Sequence, residues 1–206
     1  MAAVIRSAIM SGIFVPGERL PQDHLAGLLE VSRMPIRSAL RQLESEGLVE
    51  FHPHRGARVR ALSEAEISDL YELRILVETF ALRRTVAAID EEQLIELDQA
   101  AEGLESPAGQ TNWFEARQEF YRALYSIGNT PRVVSTIMQF RAEVGRYTSD
   151  LVDLRSTTHR DLLERIRSQD PDFAASWLEA HLRQVAQELK KQVSDAQHAD
   201  VIDGVK

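Results

Sequence analysis

Three arginines, Arg33, Arg37 and Arg41, stand four residues apart in the stretch SRMPIRSALRQLESEGLVEF (32–51). On a helix of 3.6 residues per turn, steps of four rotate by only about 40°, so the three side chains form one ridge. A guanidinium presents its donors in a fixed fork. A ridge of them can grip guanine edges bidentately or pin phosphate oxygens. Ile36, Leu40 and Leu43 recur at helical spacing on another face and need apolar neighbours to pack on. The plain alternative is a solvated arginine face with no partner. The elements around the ridge decide between the two.

The chain has 206 residues, enough for one large domain or two small ones, with 44% hydrophobic and 27% charged residues. No apolar run reaches the length of a membrane span. The opening MAAVIRSAIMSGIF alternates polar and apolar too finely for a signal-peptide core, so the expected compartment is the cytoplasm. Cysteine is absent, which excludes disulfides and thiolate metal sites. The formal net charge is −8, yet residues 1–62 hold 8 Arg against 6 Asp+Glu, while residues 63–206 hold 16 Lys+Arg against 26 Asp+Glu. A mildly basic front and a strongly acidic back imply two domains with different partners. The front is too weakly charged to bind nucleic acid by charge alone, so the placement of its arginines must matter.

Residues 2–11 read as a short helix with Val4, Ile5, Ala8 and Ile9 on one side, ended by Gly12. A Pro16-Gly17 turn follows. Residues 22–29 form a second helix with Leu25, Leu28 and Leu29 apolar. Ser32 is placed to cap a third, Pro35 is tolerated in its first turn, and Gly47 stops it. The alternating runs LVEF and ARVRAL, joined by HPHRG, read as two strands and a loop. Helix, helix, turn, helix and hairpin in about sixty residues is the layout of a winged helix-turn-helix. In that setting the ridge on the third helix is what a major-groove reader requires.

The run GIFVPGERLPQDHLAGLLEVSRMPIRSALRQLESEGLVEFHPHRGARV resembles the DNA-binding domain of GntR-family bacterial transcription regulators. The resemblance implies that Ser32, Arg33, Met34, Pro35 and Arg37 lie at the start of the recognition helix, with Arg41 further along. It also implies that His54, Arg55 and Gly56 form a wing tip that enters the minor groove. The chain departs from the family at Glu30, where glycine is frequent in the turn between helices. It departs again at Asp23, where some branches carry a DNA-contacting arginine; Asp23 is not assigned to DNA.

From Ser63 onward every segment reads as helix. SEAE is a capping box, with Ser63 as the cap and Glu66 three residues on. Ile67, Leu70, Tyr71, Arg74, Val77, Ala81 and Leu82 then mark a long helix. Further helices are expected over 90–104, after a cap at Asp90, then over 112–127, 132–154, 156–168 and 171–193. Thr130 and Pro131 restart the chain after Gly128. Residues 194–206 have no period and are expected to be a disordered tail. The expected fold is mainly α: a winged helix-turn-helix domain with a small β-hairpin wing over 1–62, then an all-α antiparallel helical bundle over 63–193.

DLYELRILVE, EFYRALYSIGNTP and HRDLLERIRSQDPDFAASWLEAHL make the second half similar to the FCD domain, the helical effector domain fused to one large GntR branch. In many such domains a divalent metal helps to hold a carboxylate effector. Its ligands are an Asp and a His four residues apart on one helix, then two further His. Here His159 and His181 match the later pair, but Arg117 and Tyr121 stand where the first pair would be. Arginine is always charged and has no lone pair to give, so this set is a poor home for a cation. The resemblance then implies a site without metal or other cofactor. In it Arg117 grips the effector carboxylate, and Tyr121, His159 and His181 complete the pocket; Arg74, in the family mark ELR, is a further candidate whose alternative role is to tie helices together.

These observations lead to a dimeric, effector-responsive repressor that binds a near-palindromic double-stranded DNA operator and a small organic acid, with no membrane partner. Two alternatives stand beside it. One is a regulator with a degenerate, effector-free pocket. The other is a metal-dependent helical enzyme with a winged-helix appendage, against which the Arg117 and Tyr121 substitutions argue.

Overall fold

The computed structural model describes residues 1–53, 55–105, 113–148 and 158–203 of the chain. It divides into two compact units, Met1–Leu62 and Ser63–Lys206. The fold is mainly helical, with a two-stranded antiparallel sheet in the first unit. Among the described residues no helix is long and apolar enough to cross a membrane.

The first unit contains α1 (Ala2–Met10), α2 (Gln22–Leu28), α3 (Arg33–Ser45), β1 (Val49–His52) and β2 (Gly56–Val59). Its core joins Ile5, Ile9 and Met10 of α1, Leu25 and Ala26 of α2, and Ile36, Ala39, Leu40 and Leu43 of α3. Two residues expected in that core are outside it. Val4 and Leu28 are exposed, and Met10 and Ala26 take the buried positions instead. The hairpin pairs Val49 with Val59 and His52 with Gly56. The PGERL segment runs along the hairpin's free edge: Gly17 N–H donates to the Val59 carbonyl and Leu20 N–H to that of Ala57, each at 2.9 Å. The edge strand of the wing is thereby partly covered.

Two local details of this unit carry information. Ser32 occupies the N-cap of α3, but its side chain makes no capping hydrogen bond, contrary to the role its type suggests. Glu30 adopts φ 52° in the turn between α2 and α3. That left-handed conformation explains why glycine suits this position, since a side chain there costs roughly 1–2 kcal/mol.

The second unit contains α4 (Glu64–Ala88), α5 (Glu91–Glu105), α6 (Trp113–Ser126), α7 (Pro131–Thr148), α8 (Thr158–Arg167) and α9 (Pro171–Asp203). Ser63 and Glu66 form the capping box: each residue's backbone N–H donates to the other's side chain, at 2.9 Å from Ser63 and 3.2 Å from Glu66. Asp90 and Gln93 make a similar reciprocal pair ahead of α5. α4 is the central helix and packs on α6, α7 and, most extensively, α9. α9 keeps helical backbone to Asp203, past Val193, where loss of period suggested a frayed tail. The expected continuation of α7 from 149 to Leu154 lies outside the described residues.

The α6–α7 corner is fastened to α4. Thr85 Oγ1 donates toward the carbonyls of Leu124 and Ile127, and Asn129 Nδ2 donates to the Ala81 carbonyl at 3.0 Å. Gly128 has φ +71°, and a Cβ there would lie 2.6 Å from the Arg84 carbonyl oxygen. Both the dihedral and the close backbone approach demand glycine. Gly128→Ala is therefore expected to destabilise the protein by at least about 1–2 kcal/mol, read as a lower urea midpoint. An unchanged midpoint would show that the corner does not hold α4.

Candidate nucleic-acid interface and buried pocket

In the first unit, α3 turns its apolar seam inward. Ser32, Arg33, Met34, Pro35, Arg37 and Arg41 remain on its exposed side. Met34 is 73% exposed. The three arginines differ in their surroundings. Arg33 is ion-paired with Asp23 of α2. Arg41 donates to Glu44 at 2.7 Å, and its guanidinium lies 4.1 Å above the Phe51 ring of β1. Arg37 has no ion-pair partner among the described residues. The ridge thus has one open guanidinium at its centre and two with partners inside the protein. At the wing tip Arg55 is exposed and its backbone N–H donates to the His52 carbonyl at 3.1 Å. Gly56 has φ +76°, with nothing within 4 Å of where a Cβ would sit. His54 lies outside the described residues.

In the second unit a small, partly open cleft is lined by Tyr71 and Arg74 of α4, Arg117 and Tyr121 of α6, Arg141 of α7, and Trp177 and His181 of α9, among others. Four of the five residues singled out from the sequence therefore share one wall system. His159 is not on it. That ring is buried beside Phe120, 5.1 Å away, and Tyr121, 5.5 Å away. Neither of its ring nitrogens has a hydrogen-bond partner among the described residues. Burial, reinforced by Arg117 and Arg141, pushes its pKa down to about 3. His181 stacks on Trp177 at 5.3 Å and is held at about 4, by burial first and then by Arg74, Arg117 and Arg141. Both imidazoles are neutral at neutral pH.

Residues that spacing did not single out dominate the electrostatics. Glu78 is fully buried. Its Oε1 accepts from Arg74 Nε at 2.7 Å, and its Oε2 accepts from Arg141 Nη1 at 2.6 Å and from the Tyr125 hydroxyl at 2.8 Å. Burial alone would raise the Glu78 carboxyl, but the two guanidiniums outweigh it and hold it at about 2. Arg141 also sits 3.1 Å from the centre of the Tyr121 ring. Arg117 keeps some surface exposure, yet its Nε is sealed from solvent. Its pKa is pushed down to about 10, by burial against the opposing pull of Tyr121, with Arg141 and Arg74 adding to the fall. A signal for Glu78 was present: it falls four residues after Arg74, on the stripe marked by Tyr71 and Leu82. Nothing local to QFRAEV marks Arg141 as its partner, because 63 residues separate the two.

This donor set does not fit a divalent cation. Arg117 and Tyr121 share one face of α6 toward the cleft, and a guanidinium offers no lone pair. Among the described residues no three His, Asp or Glu side chains converge as ligands. Glu119, which could have supplied a replacement carboxylate, is exposed, and Asp150 and Asp153 lie outside the described residues.

The two units match two sequence families. Residues 1–59 match the bacterial regulatory proteins of the gntR family, and residues 69–184 match the FCD domain. Over 197 residues the chain is 25% identical to the HTH-type transcriptional regulator YdhC of Bacillus subtilis (strain 168), covering 90% of this chain and 88% of that protein. It is also 25% identical over 197 residues to the HTH-type transcriptional repressor RspR of Escherichia coli (strain K12), covering 91% and 86%. Among solved structures, a GntR transcriptional regulator from Rhodococcus sp. RHA1 superposes with a TM-score of 0.73 at 24% identity, covering 91% of this chain and 94% of that one. E. coli McbR/YncC superposes with a TM-score of 0.71 at 22% identity, covering 93% and 95%. These two show a shared fold.

Proposed function

The chain belongs to the gntR family of bacterial regulatory proteins, in the branch that carries an FCD domain, and is a DNA-binding transcription regulator; from that premise we propose that it is a repressor, active as a homodimer in the cytoplasm, which leaves a near-palindromic operator when a small organic acid binds its helical unit. The exposed ridge of α3 carries the DNA part of this reading. Arg33, Met34 and Arg37 face the base edges, Ser32 and Pro35 set the entry of the helix, and Arg41 contacts phosphate beside the wing. Arg55 and Gly56 reach the minor groove from the wing tip, and the same role is proposed for His54 from its place in the sequence.

The effector is a carboxylate gripped by Arg117, with Tyr121 and His181 as hydrogen-bonding neighbours and His159 as the buried ring behind Tyr121. What supports this is the company the Arg117 head keeps: a cleft with three arginines and two neutral imidazoles nearby favours an anion over a cation. Fluorescence anisotropy of a labelled operator, with and without candidate acids, tests the cycle. Release of DNA by at least one acid is the expected result.

Dimerisation finds a face on α4. Leu73, Leu76 and Phe80 are 46%, 67% and 49% exposed, and the same face carries Asp69 and Glu72 toward one end and Arg83 and Arg84 toward the other. Two copies laid antiparallel about a two-fold axis beside Leu76 bring Leu73 against Phe80 and Asp69 against Arg84, apolar on apolar and acid on base. Leu76→Glu places two carboxylates at the axis. It is expected to halve the mass measured by sedimentation and to weaken operator binding. A dimer that survives would place the interface elsewhere.

A further inference from the structure

The cleft in the helical unit contains an arrangement more specific than a general excess of arginine. Arg74 and Arg141 are each only 3% exposed, and both spend one N–H on the single carboxylate of Glu78. Two guanidiniums bring two positive charges, and Glu78 returns one. Each guanidinium has five N–H donors. Among the described residues neither makes any hydrogen bond other than the one to Glu78. Both side chains line the cleft, so their remaining donors lie against its space. The Tyr71 hydroxyl is a third feature of the same wall: it is buried and has no hydrogen-bond partner among the described residues. Buried polar groups are almost always satisfied, so the unpartnered Tyr71 hydroxyl points to a missing acceptor, and the two arginines line the same cleft beside it. Glu78 also fixes the two forks: its opposite oxygens hold Arg74 and Arg141 while Tyr125 braces it from α6. The forks are thus set before any ligand arrives.

We infer that Arg74 and Arg141, bridged by Glu78 and joined by the Tyr71 hydroxyl, form a preorganised receptor for one small oxyanion, a carboxylate or a phosphate. Planar forks suit either, since both offer two oxygens in one plane. The inference rests on the reading of this cleft as an effector site. It moves the primary anion contact from α6 to the α4–α7 pair and makes Arg141 a ligand-binding residue. Arg117 then faces the remainder of the ligand.

The test is calorimetric titration of the full chain with sodium acetate, sodium succinate and sodium phosphate, each to about 10 mM at constant ionic strength. Saturable binding of at least one probe is expected. Arg141→Lys, which keeps the charge and loses the fork, should weaken it at least about tenfold. Tyr71→Phe removes only an unbonded hydroxyl, keeps the fold, and should weaken binding by about threefold or more. Preference for acetate or succinate identifies a carboxylate ligand, and preference for phosphate identifies a phosphate or phosphomonoester. No saturable binding of any probe overturns the receptor. So does binding that neither Arg141→Lys nor Tyr71→Phe alters, and that result leaves the effector cycle standing with Arg117 as its anchor. Binding that follows both variants while operator affinity stays fixed supports the receptor and removes the effector cycle.

Discussion

Glu78→Gln is expected to cost about 3–5 kcal/mol of folding stability, because it strands two buried guanidiniums without a counter-charge. The variant keeps the shape of the side chain, so the loss reports charge and not a cavity. Arg74 and Arg141 are both almost wholly enclosed, and no other carboxylate among the described residues bonds to either. Urea unfolding at neutral pH measures the effect. A loss under about 1 kcal/mol would mean that water or another acid compensates the arginines. Replacing the whole group, Arg74→Met with Glu78→Leu and Arg141→Met, should recover most of the stability, since apolar side chains of similar volume commonly match a buried ion group. The pH dependence follows in sign. The Glu78 carboxyl is held at about 2, below its ordinary 4.5, so its stabilisation is complete above about 4.5 and is lost as the pH falls toward 2. Between those values the wild type should lose its margin over Glu78→Gln. A constant margin down to pH 2 would contradict the coupling.

Arg37→Ala should weaken operator binding by about 1–3 kcal/mol for each half-site, so a dimer loses that amount twice. Arg33→Ala should act in the same direction but less strongly, because Arg33 must first leave Asp23. Arg41→Ala should show a smaller effect on affinity and a loss of stability in the first unit, since Arg41 braces α3 against Phe51 of the wing. Anisotropy titrations at one fixed salt concentration rank the three. Unchanged affinity in both Arg37→Ala and Arg33→Ala would sink the assignment of α3 as the recognition helix.

What could be read from the chain alone was local. The Ser63 and Glu66 box, the stop at Gly47, and Pro131 at the start of α7 each depend on neighbours a few residues away, and a linear string displays them. Helix faces were legible where the apolar period was clean, as in Ile36, Leu40 and Leu43. They failed at Val4 and Leu28, where two faces of a short helix carry apolar residues and only the tertiary partners choose between them. The cleft was half legible. Arg117, Tyr121 and His181 were found through position in a family pattern, and the structure puts them on one cleft. His159 was expected among them and is instead behind Tyr121. Arg74 was legible, but its partners Glu78, Tyr125 and Arg141 were not, because a charge buried by partners 47 and 63 residues away looks, in the string, like any solvated one.

The pairing of Arg33 with Asp23 and of Arg41 with Glu44 has a consequence for how binding answers to electrolyte. Neutralising DNA phosphates normally liberates condensed counter-ions, and that liberation makes affinity fall steeply as salt rises. An arginine that already holds a carboxylate must give it up on reaching a phosphate, and the abandoned carboxylate then recruits a cation from solution. Much of the gain from the freed ion is cancelled. Of the three ridge arginines, Arg37 alone would then contribute in full to the slope of log affinity against log salt. Asp23→Asn should steepen that slope even as it removes a negative charge from the DNA-facing side. If these arginines meet phosphate, Asp23 and Glu44 would buffer binding against ionic conditions and leave more of the discrimination between sequences to base contacts and shape.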